Sequence, residues 1–260
     1  MPLKNSIIYE TENGVVRLTI NRPDVRNALN DKVMIELREG IERAQENSSN
    51  RVIVVTGAGD RAFCAGGDLK SDSKTFDFDP AEPRTVGAGL FRAGRNCILP
   101  IIARVNGHCL AGGMGVLAMC DMVVSTSKAL FGLPEVKIGM FPMQVAALMQ
   151  TMIPRRKFDE MCITGELISA TEALEYGLVN YVIEPEELDD KVTWLVNRTI
   201  NKSPTAIRRG KYALRAISDM TFEQALAHME SQIALLALTE DANEGLAAFN
   251  EKRDPEWTGK

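Results

Sequence analysis

The chain has 260 residues, 45% of them hydrophobic and 25% charged, with a formal net charge of −5. That length holds one large domain, or a domain with a helical appendage, and the mild acidity excludes a general attraction to nucleic acid or anionic membrane. No apolar run reaches the ~18–20 residues of a membrane span. The first five residues lack the apolar core of a signal peptide. Five cysteines without CxxC spacing read as free, buried thiols of a reducing compartment, so the expected location is the cytoplasm.

In chain order, residues 7–10 and 15–20 read as two strands joined across Thr11-Glu12-Asn13-Gly14, a hairpin signal. Residues 21–30 form a loop. Asp31 is expected to cap a helix to about residue 45, whose apolar face is Val33, Met34, Leu37 and Ile41. Residues 51–57 read as a buried strand that delivers the chain to Ala62-Phe63-Cys64-Ala65-Gly66-Gly67-Asp68-Leu69, a small-residue turn at a possible helix start. Cys64 has no base following it and reads as packing rather than as a nucleophile. Residues 71–83 carry no sustained period and two prolines, and read as a loop ahead of a helix over 84–97.

A second glycine stretch follows. Residues 101–105 form an apolar strand, Asn106-Gly107 a turn, and Ala111-Gly112-Gly113-Met114-Gly115 the start of a buried helix. Glycines there let the backbone approach a partner closely, and a helix start points unpaired N–H groups at it. The alternative is that the glycines only let the helix pack on a sheet. Two such turns can each give one N–H to the same oxygen, as in an oxyanion hole. Short strands are expected at 121–125 and 129–131, helices at 143–153 and 155–164, a helix capped by Ser169 or Thr171, and a strand at 178–183. From Pro185 the chain is nearly all helical, over 186–200, 204–217, 221–238 and 241–253.

At the two glycine stretches the chain resembles the crotonase (enoyl-CoA hydratase/isomerase) superfamily. The resemblance is carried by residues 62–69, by Val105 to Asp121, and by Phe131-Gly132-Leu133-Pro134-Glu135-Val136-Lys137-Ile138-Gly139. Asn21-Arg22-Pro23, Asn27-Ala28-Leu29-Asn30 and residues 244–253 extend it over essentially the whole chain, in order. It implies an α/β fold, a crotonase-like spiral of ββα units with a C-terminal helical region. The spiral acyl-CoA-binding core would span 1–200 and a helical oligomerisation region 201–260.

The resemblance also implies the site. The oxyanion donors fall on the N–H groups of Gly67 and Gly112, which would hold a thioester oxygen and stabilise an enolate. Coenzyme A, as part of the substrate and not as a separate cofactor, would meet Arg26, Ala28, Ala65, Asp68, Leu69 and Lys252. The acyl pocket would draw on Phe76, Phe78, Leu90, Phe91, Gly115 and Met143. Typical hydratases carry two glutamates; the first falls on Gly115, which has no side chain, and the second on Glu135. Glu135 is therefore the expected proton-transfer residue. An aspartate of dienoyl-CoA isomerases and other relatives is Met143 here. The Gly115 position suggests room for a bulkier acyl chain or for a water.

With one carboxylate, hydration of a 2-enoyl-CoA is favoured over Δ3-to-Δ2 enoyl-CoA isomerisation; a non-catalytic acyl-CoA-binding or scaffold member is the alternative of another class. His108 reads as holding its turn in preference to catalysis. His228 reads as structural. No His/Cys/Asp cluster has metal-ligand spacing. The Ala-rich apolar run with Ile233, Leu235, Leu236 and Leu238 exceeds what one surface helix needs, and the resemblance implies a homotrimer or homohexamer. Lys252 would then reach the nucleotide end of coenzyme A, in a neighbouring subunit.

Overall fold

The computed structural model describes residues 6–69 and 80–260. The hairpin β1 (Ile7–Glu12) and β2 (Val15–Ile20) turns through Asn13 and Gly14, with φ of 49° and 79°. Asparagine and glycine are the residues that accept this left-handed geometry at least cost. Helix α1 (Asp31–Glu46) buries Val33, Met34, Leu37 and Ile41 as its spacing requires. Its cap is Asn30 rather than the expected Asp31: the Asn30 side chain accepts from the Val33 N–H at 3.0 Å. Either residue type can cap, and only the backbone trace selects which does.

Three ββα units follow. The first is β3 (Val52–Gly57), β4 (Ala62–Cys64) and α2 (Val86–Asn96). The second is β5 (Ile101–Val105), β6 (His108–Leu110) and α3 (Gly112–Ala118), and the third is β7 (Met122–Thr126), β8 (Leu130–Gly132) and α4 (Met143–Met149). Helix α5 (Arg155–Thr164), strand β9 (Ile168–Ser169), helix α6 (Ala170–Glu175) and strand β10 (Tyr181–Ile183) complete the spiral. Helices α7 (Leu188–Ile200), α8 (Pro204–Ala216), α9 (Phe222–Leu236) and α10 (Glu240–Glu251) close the chain. In each unit the first strand joins a six-stranded sheet of order β1-β2-β3-β5-β7-β10, and the second a four-stranded sheet of order β4-β6-β8-β9.

The central strands of the large sheet are buried on both faces, which is why they read as unbroken apolar runs without alternation. Ile53, Val55, Ile101, Ala103 and Val105 face the main core with α1. Val52, Val54, Ile102 and Val124 face a second core closed by Leu188, Val192, Leu195 and Val196 of α7. Arg104 and Asp189, paired at 2.7 Å, tie α7 to β5. Several expected elements are shorter than their sequence patterns. Helix α4 stops at Met149, strand β10 begins at Tyr181, and a 3-10 turn, Pro185–Glu187, precedes α7. Ser169 caps α6 in a capping box with Glu172. Among the described residues no helix is long and apolar enough to cross a membrane.

Candidate active site

Strands β4, β6 and β8 are parallel neighbours. Their carboxyl ends therefore open on one side, where α/β sheets place ligands. Beyond β4 comes Ala65-Gly66-Gly67, beyond β6 Ala111-Gly112, and beyond β8 Leu133-Pro134-Glu135. The small sheet thus gathers the two glycine stretches and the glutamate although up to 68 positions separate Gly67 from Glu135 in sequence.

The two glycine turns touch. A Cβ on Gly112 would lie 3.7 Å from the Gly67 nitrogen. Gly112 opens α3, so its N–H is one of the donors that a helix leaves unpaired. Gly67 forms a parallel bridge with Leu29. That bridge uses the Leu29 N–H to Gly66 O and the Asp68 N–H to Leu29 O, each at 2.7 Å, and leaves the Gly67 N–H outside the ladder. No helix begins at Gly66-Gly67 within the described residues, contrary to the helix start suggested there: this donor comes from an extended segment pinned by residue 29. Ala111, between β6 and α3, has φ 49° and ψ −122°. A non-glycine residue in that region is strained, and such strain is found where a backbone group is aimed for use.

The loops carrying Gly67 are braced by buried asparagines. Asn27, fully buried with φ 56°, donates to Ala58 O at 3.0 Å and Ala62 O at 2.7 Å. Asn106 accepts from the Gly57 N–H at 3.1 Å and donates to Gly59 O at 2.7 Å. Arg22 binds Asp68 at 2.7 Å and Ala28 O at 2.7 Å. The Ala65 N–H donates to Arg26 O at 3.0 Å. Residues 26–29 and 65–68 are so zipped together, which brings Arg26, Ala28, Ala65, Asp68 and Leu69 to one edge of the site. Arg26 and Leu69 are exposed there, whereas Asp68 is buried with its carboxylate on Arg22. Nothing local in the sequence marks Asn27 or Arg22 for these contacts, and Asn106 reads only as part of a turn, since their partners lie on other elements.

Glu135 lies in a 3-10 turn, Pro134–Ile138, opened by proline and closed by Gly139 at φ 77°. The Met140 N–H donates to its carbonyl at 3.0 Å. Its carboxyl oxygen Oε2 is buried and has no hydrogen-bond partner. Burial raises its pKa above the usual carboxylate value, with its own backbone N–H as a smaller opposing influence. Cys162 of α5 stands near it. A proton-accepting oxygen with no internal partner is free to engage a ligand.

The remaining positions divide. Phe91 of α2 lies against α3: a Cβ on Gly115 would be 2.7 Å from its Cε1. The space suggested at Gly115 for a larger acyl chain or a water is therefore filled by an aromatic ring. Leu90 is sealed in the core with no exposure and does not face an open pocket. Met143 starts α4 and is 73% exposed. Phe76 and Phe78 lie outside the described residues. Lys252 is the left-handed cap of α10 and is exposed. His108 accepts from the Leu130 N–H at 3.2 Å through Nδ1, so its side chain joins β6 to β8 instead of holding its own turn. Cys64 is fully buried, and burial pushes its thiol up to about 12, which suits packing and not nucleophilic work.

Comparison with known proteins gives the family. The enoyl-CoA hydratase/isomerase family profile matches residues 10–260. The chain is 34% identical over 267 aligned residues to a carnitinyl-CoA dehydratase of Proteus mirabilis, covering 99% of this chain and 100% of the relative. It is 32% identical over 260 residues to an (E)-benzylidenesuccinyl-CoA hydratase of Thauera aromatica, covering 97% and 99%. Among solved structures, an enoyl-CoA hydratase of Mycobacterium smegmatis superposes with a TM-score of 0.89 at 33% identity, covering 98% of this chain and 99% of that one. With the spiral of ββα units and the paired glycine turns, these matches place the chain in the enoyl-CoA hydratase/isomerase family of the crotonase superfamily, as an enzyme of its hydratase/lyase class.

Proposed function

We propose that the chain hydrates a 2-enoyl-CoA reversibly, with Glu135 as its single acid/base. The observation that carries this is the buried, unpartnered Glu135 Oε2 at the same sheet end as the adjoining Gly67 and Gly112 nitrogens. The two N–H groups donate to the thioester oxygen, which accepts both. Glu135 takes a proton from water, whose oxygen bonds to C3 as the C2–C3 double-bond electrons move into the enolate. The enolate then collapses, and the proton held by Glu135 goes to C2, so that one water is added and the carboxylate is restored. A pair of oriented donors of this kind is worth about 3–4 kcal/mol per donor in the transition state.

The absence of a side chain at Gly115 also favours a second reading. One carboxylate suffices for Δ3-to-Δ2 isomerisation, in which Glu135 removes a proton from C2 and returns it at C4. Absorbance of the conjugated thioester separates the two. Hydration consumes it with a 2-enoyl-CoA, isomerisation generates it with a 3-enoyl-CoA, and binding with neither change marks a non-catalytic acyl-CoA binder.

The edge formed by residues 26–29 and 65–69 is the proposed seat of the coenzyme A moiety, with the exposed Arg26 guanidinium available to phosphate. Self-assembly into a trimer or hexamer is supported by the apolar surface of the last two helices. Phe222 and Phe249 on these helices are 74% and 80% exposed and Leu238 in the turn between them 78%, more than an isolated chain leaves in water. Lys252 would join the site from a second copy. A stable monomer at micromolar concentration in sedimentation would exclude this.

A further inference from the structure

We infer that Phe91 sets the acyl-group specificity of the site by forming its wall beside the reacting carbons, restricting it to enoyl groups that are compact and uncharged at C3. This rests on the proposed enoyl-thioester chemistry and adds to it the substrate class. The geometry is specific. Gly115 is three residues after Gly112 on α3, so both lie on neighbouring parts of one helix face, roughly 5–6 Å apart at the Cβ positions. The first of these presents the N–H beside Gly67; the second presents no side chain, and the Phe91 ring occupies that direction.

The ring would have to shift to admit a side chain at residue 115 of α3. It is held by the main core, with 8% of its surface exposed. Helix α2 is itself anchored: Thr85 caps it by accepting from the Ala88 N–H at 3.2 Å, and the Gln144 Nε2 of α4 donates to the Thr85 hydroxyl at 2.7 Å. A substituent on C3 of a bound acyl group therefore meets an apolar aromatic edge about one helical turn from the oxygen that Gly112 holds. Such a wall offers nothing to a charged substituent, whose desolvation would go uncompensated. It also limits bulk, since a packed ring in an anchored helix does not yield easily.

The test compares the full-length protein with its Phe91→Ala and Phe91→Leu variants on crotonyl-CoA and cinnamoyl-CoA, which differ in a methyl or phenyl group on C3. One or a few carbons in an apolar pocket are worth about 10-fold or more in selectivity. The ratio of kcat/KM for cinnamoyl-CoA to that for crotonyl-CoA should rise at least about 10-fold in Phe91→Ala and by a smaller factor in Phe91→Leu. Ratios within about 2-fold of the wild type in a folded variant overturn the inference. Phe91→Leu keeps most of the core volume and serves if the alanine variant does not fold. Failure of the wild type on every enoyl-CoA would instead strike the reaction reading.

Discussion

Gly66 and Ala111 meet side by side: a Cβ on Gly66 would lie 2.6 Å from that of Ala111 and 3.4 Å from the Gly112 nitrogen. Each residue immediately precedes one of the two proposed oxyanion donors, Gly67 and Gly112, and each has positive φ, 101° and 49°. The spacing between the donors is therefore set by the absence of one methyl group. Gly66→Ala should separate the turns and strain the backbone by about 1–3 kcal/mol. A misplacement near 1 Å costs on the order of 100-fold in rate, so kcat should fall by about that much. The double variant Gly66→Ala, Ala111→Gly should recover part of it in the same assay, because it removes the clash but not the strain at residue 66.

Glu135→Gln should lower turnover by about 10²–10⁴-fold with little change in acyl-CoA affinity. His108→Gln should cost far less, since His108 serves the β6–β8 clamp. Near-normal turnover in the first variant, or a loss confined to the second, would refute the assignment.

The same carboxyl has a signature in stability. Burial raises its folded pKa above 4.5, so the folded state binds the proton more tightly than the unfolded chain does. Its contribution is fully present below the unfolded value and is lost as pH rises through the folded one. Glu135→Gln should accordingly be at least as stable as the wild type at neutral pH, with its relative advantage disappearing below about pH 4. Thermal melts across pH check this. In the active wild type, kcat/KM should fall as acid protonates the group, with that limb lying above pH 4.5.

Arg22→Ala removes the partner of a largely buried carboxylate, Asp68, and a bond to Ala28 O. Hydrogen bonds to charged groups contribute about 1.5–3 kcal/mol, and a loss of that order is expected in denaturant unfolding. Because the loosened segments carry the proposed coenzyme A seat, KM for an acyl-CoA should rise by a larger factor than kcat falls. A change in kcat alone would show that the pair serves the donors and not the seat.

Gly115→Ala should destabilise the fold by about 1–3 kcal/mol, since the added methyl overlaps the Phe91 ring. In a Phe91→Ala background the same substitution should be close to neutral. Melting temperatures of the two single variants and the double variant give the coupling directly, and simple additivity would mean that the two residues do not share the space.

Local patterns alone determined much of this protein. The β1–β2 turn, the apolar face of α1, the Ser169 capping box and the buried strands follow from spacing and turn chemistry, because each is fixed by residues within a few positions of one another. Glu135 and the two glycine turns were legible through motif order. What only the tertiary structure decided is how segments far apart in sequence meet. The Gly67 donor is aimed by a bridge to Leu29 and not by a helix of its own, and the caps at residues 30 and 31 differ only in where the backbone turns. Short strands such as β4 and β6, three residues each, carry too little pattern to be read and exist because neighbouring strands supply their hydrogen bonds. The filling of the Gly115 position by Phe91 belongs to the same class. A missing side chain at one position states nothing about which distant side chain takes its volume, because close packing is decided by all the elements around it at once.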